Sequence, residues 1–185
     1  MLFEEGRLEN LRELVIQNYK VDVNVKAKYD LTTSMYEKVF DHKVAAANNM
    51  RDKLVSMQWG EFIEGVLGNL PGCEWLNKKY VNVSPDVTGV LATMDFMHTD
   101  SDGKKTFFEL KARRNTVNYN SRHAILDKIQ KVRDLGHGAY VVYYDSPDIK
   151  NTLFELSGRQ FFSTFFKDGK LFDVINDQIA NTNYL

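Results

Sequence analysis

The chain has 185 residues, 43% of them hydrophobic, 26% charged and 12% aromatic, with only three prolines and a formal net charge of −1. That composition belongs to a folded domain with a substantial core and excludes a disordered or collagen-like chain. No apolar run approaches 18 residues, the opening "MLFEEGRLEN" is polar and acidic, and Cys73 is the sole cysteine. A membrane span, a signal peptide, an internal disulfide and a cysteine zinc cluster are therefore not expected, and a reducing cytoplasm is the expected compartment.

Residues 1–70 read as mostly helical. "GRLENLRELVIQNY" places Leu8, Leu11, Val15 and Ile16 on one stripe. "LTTSMYEKVFDHKVAAANN" offers Thr32 and Thr33 as N-caps ahead of Tyr36, Val39, Phe40 and Val44 at helical spacing. "MRDKLVSMQWGEFIEGVLGNL" predicts a third helix stopped by "GNLPG".

From about residue 74 the apolar period changes to two. "KKYVNVS" (78–84) and "DVTGVLATMDFMHT" (86–99) read as strands, "DSDG" as a turn and "KKTFFELKA" (104–112) as the returning strand of a hairpin. "SRHAILDKIQKVRDLG" predicts a helix with Ala124, Ile125, Ile129 and Val132 inward. "AYVVYYDS" is a continuous apolar strand of the kind buried on both faces. "GRQFFSTFF" and "LFDVINDQIAN" read as helices that close residues 150–185. One α/β domain results, with a small mixed sheet flanked by helices and its site between residues 74 and 145.

The second hairpin strand carries charges that an ordinary buried strand excludes. Alternation puts Phe107, Glu109 and Lys111 on one face. If the hairpin centres on Asp102, Asp95 stands opposite Glu109, and two facing carboxylates repel. A divalent cation removes that fault. Mg²⁺ takes hard oxygens, usually one or two carboxylates completed by water and substrate phosphate. A lysine two residues past the glutamate can then hold or deprotonate an attacking water, which suits in-line phosphodiester hydrolysis.

The charge distribution points to the same substrate class. Residues 104–133 contain nine Lys/Arg against two acids, while the rest of the chain is acidic. A local basic footprint of this kind suits a phosphate backbone. Arg113, Arg114, Asn115, Asn118, Asn120 and Arg122 follow the charged strand and are the side-chain types that read base edges and grip phosphates. Asn120 or Ser121 could equally serve as an N-cap for the next helix. The four histidines (42, 98, 123, 137) share no metal spacing, and no nucleophile elbow, Gly-rich phosphate loop or zinc pattern occurs.

Asp95, a 13-residue gap and then Glu109-Leu110-Lys111 resembles the PD-(D/E)XK superfamily of Mg²⁺-dependent nucleases. In that superfamily the aspartate and the ExK lie on adjacent strands of a mixed sheet flanked by helices. "ELKARRNTVN" is similar to the E-x-K-x-[KR]-x-N-T-x-N run of a group of type II restriction endonucleases, and "WGEFIEGVLG" to that group's helix motif. Met94 stands where the motif has proline. The resemblance implies Asp95, Glu109 and the Leu110 carbonyl as Mg²⁺ ligands, Lys111 beside the water, and Glu61 in support of the metal. It also implies double-stranded DNA as substrate and a homodimer, since two strands need two sites. Asp86, in a literal Pro-Asp, competes with Asp95, but its 22-residue gap requires an extra strand. Glu64, three residues past Glu61 on the same helix face, competes with Glu61. The alternative functions are a junction resolvase, repair or mobile-element nuclease of the same superfamily, or a non-catalytic DNA-binding module.

Overall fold

The fold is set by strands that are apolar on both faces. Alternation along Lys105–Lys111 sends Phe108 and Leu110 to one side and Phe107 to the other, so the sheet needs cover on both sides. The structure, a computed structural model, describes residues 3–26, 43–114, 117–151 and 153–182. Its helices are α1 (Arg7–Lys26), α2 (Lys43–Gly68), α3 (Tyr119–Asp134), α4 (Gly158–Phe165) and α5 (Lys170–Asn181). Its strands are β1 (Cys73–Trp75), β2 (Phe96–Thr99), β3 (Lys105–Lys111), β4 (Gly138–Tyr143) and β5 (Glu155–Ser157).

The five strands form one sheet in the order β1-β2-β3-β4-β5. The first two pairings are antiparallel and the last two parallel. Parallel neighbours need a crossover, which α3 supplies between β3 and β4. On one face Phe96, Phe108, Leu110 and Val142 pack with Phe62, Ile63, Val66 and Leu67 of α2 and with Phe161 and Phe162 of α4. On the other, Met97, Phe107, Val141 and Tyr143 pack with Ile125, Ile129 and Val132 of α3. β4 is thus buried on both faces, as its unbroken apolar run implies. Gly68 lets α2 close on the sheet, since a Cβ there would stand 2.5 Å from Trp75 Cβ, whereas Gly65 meets Leu11 of α1.

The β2–β3 hairpin is fixed at its turn. Asp100 Oδ1 accepts from the amides of Asp102 (3.0 Å) and Lys104 (2.9 Å). Gly103 takes φ 77°, a left-handed conformation that glycine adopts without steric cost. The resulting register pairs Phe96 with Phe108, Met97 with Phe107 and His98 with Thr106.

Several elements differ from expectation. Residues 78–84 form turns rather than a strand, and of 86–99 only the last four residues are extended, after a 3₁₀ turn at Leu91–Thr93. The sheet instead gains two strands of three residues, β1 and β5, too short to show a period. Helix α3 is capped by Asn118, whose side chain accepts from the Ser121 amide at 2.8 Å, and Ala124 faces solvent. Thr32, Thr33, Tyr36, Val39, Phe40 and Asn115 lie outside the described residues. Among the described residues no helix is long and apolar enough to cross a membrane.

Candidate active site at the end of the hairpin

Continuing the hairpin register by one pair places Asp95 opposite Glu109. Asp95 is held there by its backbone, which donates to Phe108 O at 2.9 Å and accepts from the Leu76 amide at 3.0 Å. Its side chain is equally fixed: Oδ2 accepts from the Leu110 amide at 2.6 Å. A residue just past the end of β2 is thereby tied to the strand that carries Glu109 and Lys111.

Glu109 is 6% exposed and makes ion pairs through both oxygens. Lys111 Nζ lies 2.5 Å from Oε1, and Lys128, reaching down from α3, donates to Oε2. Lys111 Nζ also donates to the Leu110 carbonyl at 2.8 Å. One ammonium therefore already bridges the Glu109 carboxylate and the Leu110 carbonyl. Two hard oxygen donors converge on a single cation position, with Asp95 beside them.

The site carries surplus negative charge. Burial, and then the neighbouring Glu109 charge, pushes the Asp95 carboxyl up to about 7. Glu64 is pushed up to about 8 by burial, then by Asp95 and Glu61. Burial by itself lowers the Lys111 ammonium, but Glu109, Asp95 and Glu64 outweigh it and hold the proton more tightly than in an ordinary lysine. Such shifts arise where carboxyls are buried beside other carboxylates.

Of the two glutamates on α2, Glu64 is the one whose charge acts on this cluster. Glu61 hydrogen-bonds Tyr80 OH and pairs with Lys79 at 3.3 Å. The GEF resemblance points to Glu61, whereas it is the charge of Glu64 that interacts with Asp95, Lys111 and Glu109. Asp86 is not brought to the site. It is exposed and pairs at 2.5 Å with Lys105, at the opposite end of β3 from Glu109. Four residues of strand span about 13 Å.

The fit to a divalent cation is one of chemistry. Among the described residues no group of three His, Cys, Asp or Glu side chains forms a ready metal cage. The oxygens that do gather, from Asp95, Glu109 and the Leu110 carbonyl, are the hard donors Mg²⁺ takes, with water completing its shell. An ammonium standing between two of them shows that the position accepts positive charge.

Of the residues expected to contact DNA, Arg113, Arg114 and Arg122 line a cleft of about 1020 Å³, together with Tyr119 and residues 145–151. Asn118 caps α3, and Asn120 is exposed on its first turn. Arg113 pairs with Asp145 at 2.5 Å. Arg122 grips the buried carboxylate of Glu155 at 2.8 and 2.9 Å, and Arg114 joins it at 2.9 Å. All three of the expected arginine contacts are therefore already bonded within the chain.

Lys128 and Glu155 were not singled out in the sequence. Lys128 sits beside Ile129 at the edge of the buried stripe of α3, and its stem lies along the sheet with the head at Glu109. A lysine in that position, above a strand face that carries a glutamate, is the signal that could have identified it. Glu155 lies on a three-residue strand that no pattern reveals. No protein-family model and no curated protein sequence matches the chain, so its own geometry carries the reading.

Proposed function

We propose that the protein is a Mg²⁺-dependent endonuclease that hydrolyses phosphodiester bonds of double-stranded DNA, in the manner of a PD-(D/E)XK type II restriction enzyme. The observation that carries this reading is the hairpin register, which sets Asp95 opposite Glu109 with Lys111 and the Leu110 carbonyl at its side. The order α2, three antiparallel strands, α3 and a buried parallel strand supports it.

Asp95, Glu109 and the Leu110 carbonyl would hold the cation. When bound, Mg²⁺ stabilises the charge that develops on the scissile phosphate. Glu64, whose charge acts on Asp95, and Glu61 would hold water of the metal shell. Lys111 would leave its bridge between Glu109 and Leu110 and turn its ammonium to the attacking water and the phosphate oxygens. Because the carboxylates around it keep it charged in the metal-free site, Lys111 begins as an electrostatic clamp. The arginines of the cleft, Arg113, Arg114 and Arg122, with Asn118 and Asn120 at the start of α3, would position the flanking duplex, and a homodimer would present two sites to two strands.

Purified protein incubated with unmethylated phage DNA and Mg²⁺ should yield discrete fragments with a common end sequence. Full-rate cleavage by Lys111→Ala would sink the proposal. A second reading, a DNA-binding module without catalysis, is favoured by one observation: both Glu109 oxygens already carry an ammonium. It requires DNA binding that EDTA leaves unchanged and no cleavage in Mg²⁺ or Mn²⁺.

A further inference from the structure

Glu109 is buried beside two other acids, and both of its oxygens are paired with an ammonium. Lys111 belongs to the same strand and has a role in the proposed chemistry. Lys128 comes from a different element. Its side chain is 23% exposed, its ammonium contacts Glu109 Oε2, and it donates at 3.0 Å to the carbonyl of Thr93 in the 3₁₀ turn just before Asp95. One side chain thus ties α3, β3 and the approach to Asp95 together.

We propose that Lys128 is a built-in counter-cation for Glu109, which keeps the metal-free site folded and weakens its hold on a divalent ion. The inference rests on the metal site proposed above. An ammonium on one oxygen of a carboxylate lowers the charge available to a metal on the other, and the two cations repel across a few ångströms. Without Lys128, Glu109 retains a buried oxygen with no partner next to Asp95 and Glu64, an arrangement that costs stability. A divalent ion would relieve that cost. Removing Lys128 should therefore weaken the metal-free fold and strengthen metal binding together, because anything bound to the folded state alone adds to its stability.

The test compares wild type with Lys128→Met, which keeps most of the stem, with Lys128→Arg, which keeps the charge, and with Lys131→Met, which removes an exposed charge one turn along α3. Melting temperature is measured in EDTA and over a range of Mg²⁺ and Mn²⁺, and metal affinity by titration calorimetry, both without DNA. The expected result is a lower melting temperature in EDTA, a larger rise with metal and a dissociation constant about tenfold lower for Lys128→Met. Lys128→Arg and Lys131→Met should stay close to wild type. A metal response equal to or smaller than that of wild type overturns the proposal while leaving the metal site standing, since a merely structural lysine lowers the melting temperature equally with and without metal. If neither wild type nor Lys128→Met responds to either metal, the metal site falls and the proposal falls with it.

Discussion

Glu109 on β3 and Glu155 on β5 are both buried, at 6% and 5% exposure, and both are compensated by cations from α3 or the loop before it. Their surroundings differ in kind. Glu155 accepts a two-pronged grip from Arg122, a third bond from Arg114 and a fourth from Tyr143 OH at 3.3 Å, with no other carboxylate among them. Glu109 is met by two lysines and stands next to Asp95 and Glu64, whose protons it helps to hold. A guanidinium fork fits a carboxylate's shape and stays, whereas an ammonium is a point charge that another cation can replace. The contrast separates a carboxylate held in a guanidinium fork from one held by two point charges.

The sharpest way to break that contrast is to remove the chemistry while keeping the fold. Asp95→Asn and Lys111→Ala should each lower Mg²⁺-dependent DNA cleavage by about a thousandfold or more, read from initial rates on plasmid DNA. Their circular dichroism should match that of wild type. Glu155→Ala should act the other way, on stability. It strands two arginines and should cost about 2–3 kcal/mol in urea unfolding.

A smaller effect concerns pH. Asp95 and Glu64 hold their protons more tightly folded than unfolded, with carboxyls pushed up to about 7 and about 8. Their contribution to stability is complete below about pH 4 and is lost as pH rises through those two values. In EDTA the protein should therefore lose on the order of 2 kcal/mol between pH 5 and pH 9, allowing for screening by the two neighbouring lysines and by solvent. Mg²⁺ should remove most of that slope, and Glu64→Gln should flatten it. A metal-free stability that rises over the same interval would contradict the surplus of acids around Glu109.

The smallest effect belongs to the residue that competed for the metal in the sequence. Asp86→Asn breaks an exposed pair with Lys105 and should shift stability by less than about 0.5 kcal/mol, with cleavage unchanged.

Most of the charged strand was legible because β3 is long enough to alternate and its turn declares its centre. Phe107, Glu109 and Lys111 could be assigned to a face, and Asp95 to its partner, by counting. Residues 78–84 misled because Val81 and Val83 alternate with polar residues without extended pairing, while Tyr80 stacks on Trp75 and hydrogen-bonds Glu61. Lys128 and Glu155 were invisible for another reason. Their importance lies in contacts across 19 and 33 residues of chain, and no local pattern encodes such partners. Arg114 and Arg122 looked like free phosphate ligands because Glu155 could not be placed beneath them.

The turn at Asp100–Lys104 lies far from every charged group of the site, yet it works as its ruler. Asp95 meets Glu109 only because both are seven residues from Asp102, a count that the Asp100 side chain and the backbone of Gly103 enforce. One residue inserted there slides β2 by a single step, and a single step reverses which side of the sheet each side chain occupies, unless a bulge absorbs it. The spelling of the site can stay intact while its geometry is erased. A change of length in this solvent-exposed loop should therefore be as damaging to the proposed site as a substitution at Lys111, and mutagenesis restricted to substitutions would never detect it.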